Sequence, residues 1–314
     1  MATSLDTFLG PPPPRVETRG DLALHKAAML GDVQTARRLL DSGRVHVDCA
    51  DPDGTTALML AAAHGQEDVA RLLLEEGAEL MAQRVSGTHA LFFAAQAGHT
   101  RLVAFLIQQG APVNLSSVEG GTPLAVAAQC GNLDVAEELV RHGAEVDACM
   151  KDGATPLFVS AQNGHLPLVR FLISKGAVLD RTRHDGASAL WIAAQAGYSD
   201  VLKVLLRAGA DPDLARTDGA TPLFKASHKG HVEVVRVLLE ECPCLGLLSN
   251  GESALHAACL FGHLPVVRLL LAAGANPRLL NKGKETPMEL AEQMGYEGIV
   301  AYLKSTPRPA MSHV

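Results

Sequence analysis

Histidines and cysteines are the residues of this chain that could do chemistry. The sequence holds 13 histidines and 6 cysteines; imidazole can act as a general base or metal ligand, and thiolate as a nucleophile or ligand. The nearest approach to a metal-binding pattern is Cys242-Pro243-Cys244, with Cys259 and His228 as further donors. Zinc sites usually contain cysteine pairs with longer spacing, so a single C-x-C is weak evidence for a metal site.

The histidines do not assemble into a catalytic motif. The sequence contains no G-x-S-x-G turn, phosphate-binding glycine loop or H-E-x-x-H pair. Four histidines follow a glycine at equivalent places, and two others share an earlier place in the same pattern. In order, these are His99, His165, His231 and His263, then His25 and His256. We therefore expect no enzyme activity, no catalytic residue, no cofactor and no metal.

Composition limits the kinds of partner and location. The 314 residues are 47% hydrophobic and 19% charged, with a net charge of −7. This mild acidity provides no broad basic field, so we expect neither nucleic-acid binding nor membrane insertion. No apolar run is long enough to span a bilayer and no signal peptide is visible. With unpatterned cysteines, this predicts a cytoplasmic protein, with the nucleus as a second location.

A motif of about 33 residues recurs through the sequence. Its clearest copy, Asp152 to Asp180, reads as a turn, a short helix, a Gly-His corner, a longer helix and a Gly-Ala stop. One apolar residue in each copy is followed by its counterpart 34 residues on, then 33 five times, then 32 and 33. These residues are Leu24, Leu58, Leu91, Leu124, Leu157, Leu190, Leu223, Leu255 and Met288. A fixed period of this length indicates a repeat array.

The recurring residues have local physical reasons. A threonine before proline, as at Thr155-Pro156, provides an N-cap oxygen and a preset first helical residue. An alanine pair such as Ala193-Ala194 lets neighbouring helices approach closely. Glycine at the corner accepts the positive φ that a helix stop requires.

The pattern D-G-x-T-P-L-H-x-A-A-x-x-G-H resembles the ankyrin repeat family over about residues 20–305. The resemblance implies an all-α solenoid with short β-hairpin tips, in a right-handed superhelical array that acts as one cooperative unit. Residues 1–19 are expected to be a disordered proline-rich lead, and residues 306–314 a flexible tail. The nine repeats are expected at about 20–50, 51–82, 83–115, 116–148, 149–181, 182–214, 215–246, 247–279 and 280–305.

The junction between repeats 7 and 8 departs from the pattern. Cys242 replaces the glycine that ends the other second helices, Pro243 follows it, and the repeat is one residue short. A non-glycine residue before proline is pushed towards extended backbone, so the helix is predicted to end differently there. We also expect lower local stability over residues 238–252 than over residues 205–219.

A column of glutamines lies five residues after the anchoring leucine. In the family this position ends the inner helix and faces the concave groove. The column could hydrogen-bond an extended peptide, or its members could bond along the array; both readings stay open. Its consecutive members are Gln96, Gln129, Gln162 and Gln195.

A second column follows the anchoring leucine directly and contains four aromatic residues. The rings could pack between repeats, or they could form a partly exposed row of the kind that interfaces favour. Phe158 and Trp191 are its candidate binding members. Varied residues at and near the turns are further candidates, because specificity commonly lies in loops on a fixed scaffold. These are Arg84, Glu119, Lys151, Asn163, Arg183 and Arg216.

The resemblance implies a non-catalytic protein-interaction scaffold that binds a protein or peptide through the concave groove and the hairpin tips, as a monomer. One alternative is an adaptor that recruits a client to a multiprotein or PDZ-organised complex. The terminal residues Ser312, His313 and Val314 fit the S/T-x-hydrophobic form that PDZ domains bind. A second alternative is an enzyme or metal-binding module, which the shared histidine positions disfavour.

Overall fold

The computed structural model describes residues 18–305. Over that range the chain forms eighteen helices, two for each of nine repeats, and no strand. The expected β-hairpin tips are hydrogen-bonded turns, and one isolated antiparallel bridge joins Ala50 and Thr56. The fold is therefore an all-α repeat solenoid, as the sequence indicates.

The described residues pack as two compact units, residues 18–123 with Arg141–Ala144, and Leu124–Val140 with residues 145–305. The first contains α1 (Arg19–Leu30), α2 (Val33–Asp41), α3 (Ala57–Ala63), α4 (Glu67–Glu75), α5 (Ala90–Ala97) and α6 (Thr100–Gln108). The second contains most of α7 (Pro123–Cys130) and α8 (Leu133–Arg141), then α9 (Pro156–Gln162), α10 (Leu166–Ser174), α11 (Ala189–Ala196), α12 (Ser199–Arg207), α13 (Pro222–Lys229), α14 (Val232–Leu239), α15 (Ala254–Leu260), α16 (Leu264–Ala272), α17 (Pro287–Gln293) and α18 (Glu297–Ser305).

Consecutive odd-numbered helices pack side by side from α1 to α5 and from α9 to α17. Consecutive even-numbered helices do the same for α2 with α4 and from α10 to α18. We call the odd-numbered helices inner and the even-numbered helices outer. The inner helices approach closely because their facing residues are small: Ala193 and Ala194 are fully buried, as is the anchoring Leu190. The outer helices bury leucines such as Leu202 and Leu205. Burial of this apolar surface stabilises the array by about 25 cal/mol for each Å².

The start of several inner helices is fixed by a side-chain cap. The Thr155 hydroxyl accepts a hydrogen bond from the Phe158 backbone N–H at 3.2 Å, and Pro156 occupies the first turn. The Ser188 hydroxyl accepts from the Trp191 N–H at 3.1 Å in the same way. These caps satisfy N–H groups that have no partner within the helix, so the inner helices begin at equivalent positions.

Aspartates in the loops connect several of the repeats to the next. The Asp180 carboxylate accepts from the Asp211 N–H at 3.0 Å, and Asp147 accepts from the Val178 N–H at 3.1 Å. Both bonds span 31 residues. The period of about 33 residues is thereby tied to a charge-assisted hydrogen bond as well as to packing.

The junction between repeats 7 and 8 keeps this connection and changes after it. Asp213 accepts from the Cys244 N–H at 3.1 Å, again over 31 residues. The missing residue therefore falls between Cys244 and Gly251. Helix α14 ends at Leu239 and has 8 residues, whereas α12 has 9, so the helix does end differently.

The expected extended backbone at Cys242 is wrong. Cys242 has a φ of 52°, in the left-handed region that the replaced glycine would occupy. The hydrogen bond from Cys244 to Asp213 keeps this loop in register with the preceding repeat. That register imposes the left-handed turn on Cys242, although cysteine has a Cβ atom. Such a conformation costs roughly 1–2 kcal/mol in a non-glycine residue. The lower local stability of residues 238–252 stays a prediction.

Replacing Cys242 with glycine should stabilise the protein. The strain at φ 52° disappears, and the added freedom of glycine in the unfolded chain offsets part of the gain, leaving about 0.5–1 kcal/mol. Urea denaturation measures the change in free energy of unfolding. The matched control is Cys242→Ala, which removes the thiol and keeps the Cβ atom; equal stability of the two variants would contradict the strain argument.

Candidate functional site

The tips of successive repeats are joined by backbone hydrogen bonds. In the second unit, the His184 N–H donates to the Asp152 carbonyl at 2.9 Å, and the Thr217 N–H donates to the Asp185 carbonyl at 3.0 Å. In the first unit, the Val85 N–H donates to the Asp53 carbonyl at 2.9 Å. The candidate residues at the tips are therefore held on ordered backbone.

The three candidate arginines form ion pairs between tips. Arg84 Nη2 lies 3.0 Å from an Asp53 carboxylate oxygen in the first unit. In the second unit, Arg183 Nε lies 3.4 Å from an oxygen of Asp152, and Arg216 Nη2 lies 3.5 Å from an oxygen of Asp185. In each pair, the carboxylate belongs to the repeat before the arginine. These cations are thus largely neutralised within the array.

Each of these arginines also covers an aromatic ring. The Arg183 guanidinium carbon lies 5.4 Å from the centre of the Phe158 ring, and that of Arg216 lies 5.0 Å from the Trp191 ring. In the first unit, Arg84 lies 5.8 Å from the Phe93 ring. Cation–π contacts of this kind contribute about 0.5–1 kcal/mol at exposed sites. The arginines therefore have a structural role.

Phe158 and Trp191 must be removed from the candidate surface. Their exposed fractions are 1% and 2%. The Trp191 indole N–H donates to the Ala220 carbonyl at 2.8 Å, which satisfies its polar atom inside the repeat stack. Of the two readings of the aromatic column, inter-repeat packing describes these two residues, because a partner cannot reach buried rings.

The glutamine column lies on the surface of the inner helices. In the second unit, Gln129 and Gln162 are exposed and Gln195 is half-buried; in the first unit, Gln96 is exposed. The backbone carbonyls of Gln129 and Gln195 accept hydrogen bonds at 3.0 Å from His165 and His231. The backbone of the column thus connects repeats, while the amide side chains face outward.

The remaining candidates differ in their surroundings. Glu119 is exposed and lines a shallow cavity of about 400 Å³ in the first unit, beside Arg84 and the exposed Val85 and Val118. Lys151 is exposed in the second unit. Asn163 is exposed but donates from its side-chain amide to the Val159 carbonyl at 2.8 Å, so it caps the end of α9.

The corner histidines are structural donors. His99, His165, His231 and His263 each direct Nε2 at a carbonyl 35 or 36 residues earlier, at 3.0–3.3 Å. His25 and His256 bond carbonyls of the following loop at 2.9 and 3.1 Å. Over residues 18–305, no three His, Cys, Asp or Glu side chains form a group that could hold a metal ion. The shared histidine positions therefore serve the fold.

The thiols fall into two classes. Cys49 and Cys259 are buried, whereas Cys130, Cys149, Cys242 and Cys244 are exposed, and none of the six is in a disulfide. Burial raises the pKa of Cys259 to about 12 and also raises the pKa of Cys130. The reactive thiolate is disfavoured at both residues.

Thiol titration should separate these classes. With a disulfide reagent at mildly alkaline pH, we expect the four exposed cysteines to react in the native protein and all six to react in concentrated guanidinium chloride. Cys130 should be slower than Cys149, because its pKa is raised by burial. Rapid native labelling of Cys259, identified by peptide mass, would contradict the buried assignment.

Helix α13 carries a basic group, Lys225 and Lys229 with His228 between them, that the two columns do not reveal. Lys225 and Lys229 lie outside both the glutamine and the aromatic columns, and His228 entered only as a metal-ligand candidate. The signal is present in the sequence: the position two residues after the anchoring leucine is aliphatic in the three preceding inner helices and is lysine in α13. Alignment of the repeats at every position would have found it.

The terminal residues Ser312, His313 and Val314, and the proline-rich lead through residue 17, lie outside the described residues. Among residues 18–305, no helix is both long enough and apolar enough to cross a membrane.

Comparison with known proteins defines the class. The family described as "Ankyrin repeats (3 copies)" matches residues 4–84, 80–149, 143–216, 208–281 and 241–309. This chain belongs to the ankyrin repeat family, whose members generally mediate protein–protein interaction.

Two curated relatives match a short part of the chain. The human protein "Ankyrin repeat domain-containing protein 29" is 49% identical over 70 residues, which is 22% of this chain and 22% of that protein. Its counterpart from Danio rerio is 47% identical over 62 residues, 20% of this chain and 21% of that protein. The matched segment spans about a fifth of the length of these relatives.

Proposed function

We propose that this chain is a non-catalytic scaffold that binds a protein or an extended peptide through the inner-helix surface and the tips of its repeats. The observation that carries the proposal is the glutamine column of the second unit. Its side chains make no hydrogen bond within residues 18–305, while the backbone carbonyls of Gln129 and Gln195 already connect the repeats. Packing does not require these amides, and amides can pair with the backbone of an extended peptide.

We propose that the protein acts as a monomer in the cytoplasm, with the nucleus as a second location. A preformed surface supports it energetically, because ordered tips and capped helices lose little conformational freedom when a partner binds. Gln96 and Glu119 extend the same proposal to the first unit, where each is exposed.

An adaptor role is the second candidate. It rests on the terminal Ser312-His313-Val314, which has the form of a PDZ ligand. In that role the repeats hold a client and the last residues recruit a PDZ-organised complex.

Replacing Gln129, Gln162 and Gln195 together with alanine should weaken partner binding without unfolding the protein. Each lost hydrogen bond contributes about 0.5–1.5 kcal/mol, so affinity should fall at least roughly tenfold. Quantitative mass spectrometry on proteins captured from cell extract by the immobilised full chain and by the variant measures the loss. The melting temperature should stay within a few degrees.

Two comparisons make this test specific. The matched control replaces Gln108 and Gln109, exposed amides at the end of outer helix α6, and should capture the partner normally. A chain without Ser312 to Val314 should retain the partner of the repeats and lose any PDZ protein. Unchanged capture by the triple variant would refute the glutamine surface.

A further inference from the structure

Helix α13 departs from its neighbours at three positions, each time towards basic or imidazole side chains. Lys225, His228 and Lys229 lie two, five and six residues after the anchoring leucine. In the three preceding inner helices, the first position is aliphatic, the second is glutamine and the third is small or polar. Those residues are Val126, Val159 and Ile192; Gln129, Gln162 and Gln195; and Cys130, Asn163 and Ala196.

Lys225 occupies a position that favours an aliphatic side chain. Its counterparts Val159 and Ile192 are 5% and 6% exposed. Burial lowers the pKa of Lys225, and the neighbouring cations Lys229 and Arg216 lower it further, against the opposing effect of Asp218. Lys225 is half-buried, and partial desolvation of a cation opposes folding, so the fold would accept an aliphatic side chain at this position.

The positive charge of this cluster is only partly compensated. The ring of Trp191 has two cations near it, Arg216 at 5.0 Å and Lys225 Nζ at 5.8 Å from its centre. Arg216 is also paired with carboxylates of Asp185 at 3.5 Å and Asp218 at 3.8 Å. In the described part of the chain, neither Lys225 nor Lys229 has a carboxylate within 4.0 Å.

His228 adds a buried atom that lacks a partner. Its ring packs edge-on against Phe261, with centroids 4.1 Å apart, and its Nδ1 is buried without a hydrogen bond. Desolvation lowers the pKa of His228, and Lys225 and Lys229 lower it further, so the imidazole is neutral near pH 7. Buried polar atoms usually have a hydrogen-bond partner, and His228 Nδ1 has none.

We propose that the α13 surface binds an acidic peptide segment of a partner protein, with Asp or Glu carboxylates placed between the Lys225 and Lys229 ammonium groups. Phe261, which is 43% exposed beside His228, provides an apolar contact for a neighbouring side chain. The inference rests on the proposed function and specifies the chemistry of the partner.

Charge and side-chain type favour carboxylates over other anions. Bidentate recognition of phosphate is a property of arginine, and Arg216 already pairs with two aspartates. Nucleic acid requires a wider basic surface, whereas this chain has a net charge of −7. Two lysines on one helix, with the exposed Phe261 against His228 of the same helix, fit a short acidic segment.

Fluorescence anisotropy with a labelled oligoglutamate peptide tests this inference on the full chain. We expect saturable binding that weakens as salt rises, no binding of the matched oligoglutamine peptide, and a roughly tenfold loss in the Lys225→Gln/Lys229→Gln variant. A phosphoserine peptide and a single-stranded RNA of equal length should bind more weakly.

A charge-matched control replaces two lysines of the same unit outside α13, Lys175→Gln directly after α10 and Lys203→Gln in α12, and should bind the acidic peptide normally. An equal loss in this control would show that net charge alone drives binding and would overturn the site. Tighter binding of phosphopeptide or RNA than of oligoglutamate would overturn the choice of partner.

The variant Lys225→Ile separates binding from folding. It restores the residue type of Ile192, so its melting temperature should equal or exceed that of the wild type while peptide affinity falls. A lower melting temperature would mean that Lys225 supports the fold and would overturn the functional assignment. If oligoglutamate fails to bind while the glutamine variant still loses its captured partner, only the acidic-partner inference fails.

Discussion

Consecutive repeats of this chain complete one another's hydrogen bonding, and the positions of all other residues depend on that link. Asp180 bonds a backbone N–H 31 residues ahead, while His165 bonds a carbonyl 36 residues behind. Both bonds depend on a fixed spacing between repeats, so a repeat that changed length within the linked segment would lose them. Repeat 7 loses its residue only after Cys244, where the link from Asp213 is complete.

This constraint sorts the polar residues into two groups. Those that pair with the next repeat are fixed in type, as the corner histidines and loop aspartates are. Gln162 and Lys229 lie on inner helices and are exposed, and their side chains do not pair with the next repeat. Because these side chains are exposed and make no hydrogen bond to the next repeat, their positions can carry specificity.

The fold could be predicted almost entirely from the sequence, because nine copies of one pattern repeat the same capping, packing and turn residues. The candidate site could be predicted less well. Phe158 is buried in part beneath Arg183 of the next tip, a contact that the aromatic column alone does not reveal. Cys242 adopts a glycine-like φ of 52° because long-range register outweighs local preference. The lysines of α13 were visible in the sequence, but only through departures between repeats.

The most direct measurement compares two neighbouring polar residues by urea denaturation. His165→Ala removes the hydrogen bond to the Gln129 carbonyl and should lower the free energy of unfolding by about 1–2 kcal/mol. Gln162→Ala, at the end of α9, should change it by less than about 0.5 kcal/mol. A large loss for Gln162→Ala with none for His165→Ala would contradict the division between residues that join repeats and residues left for binding.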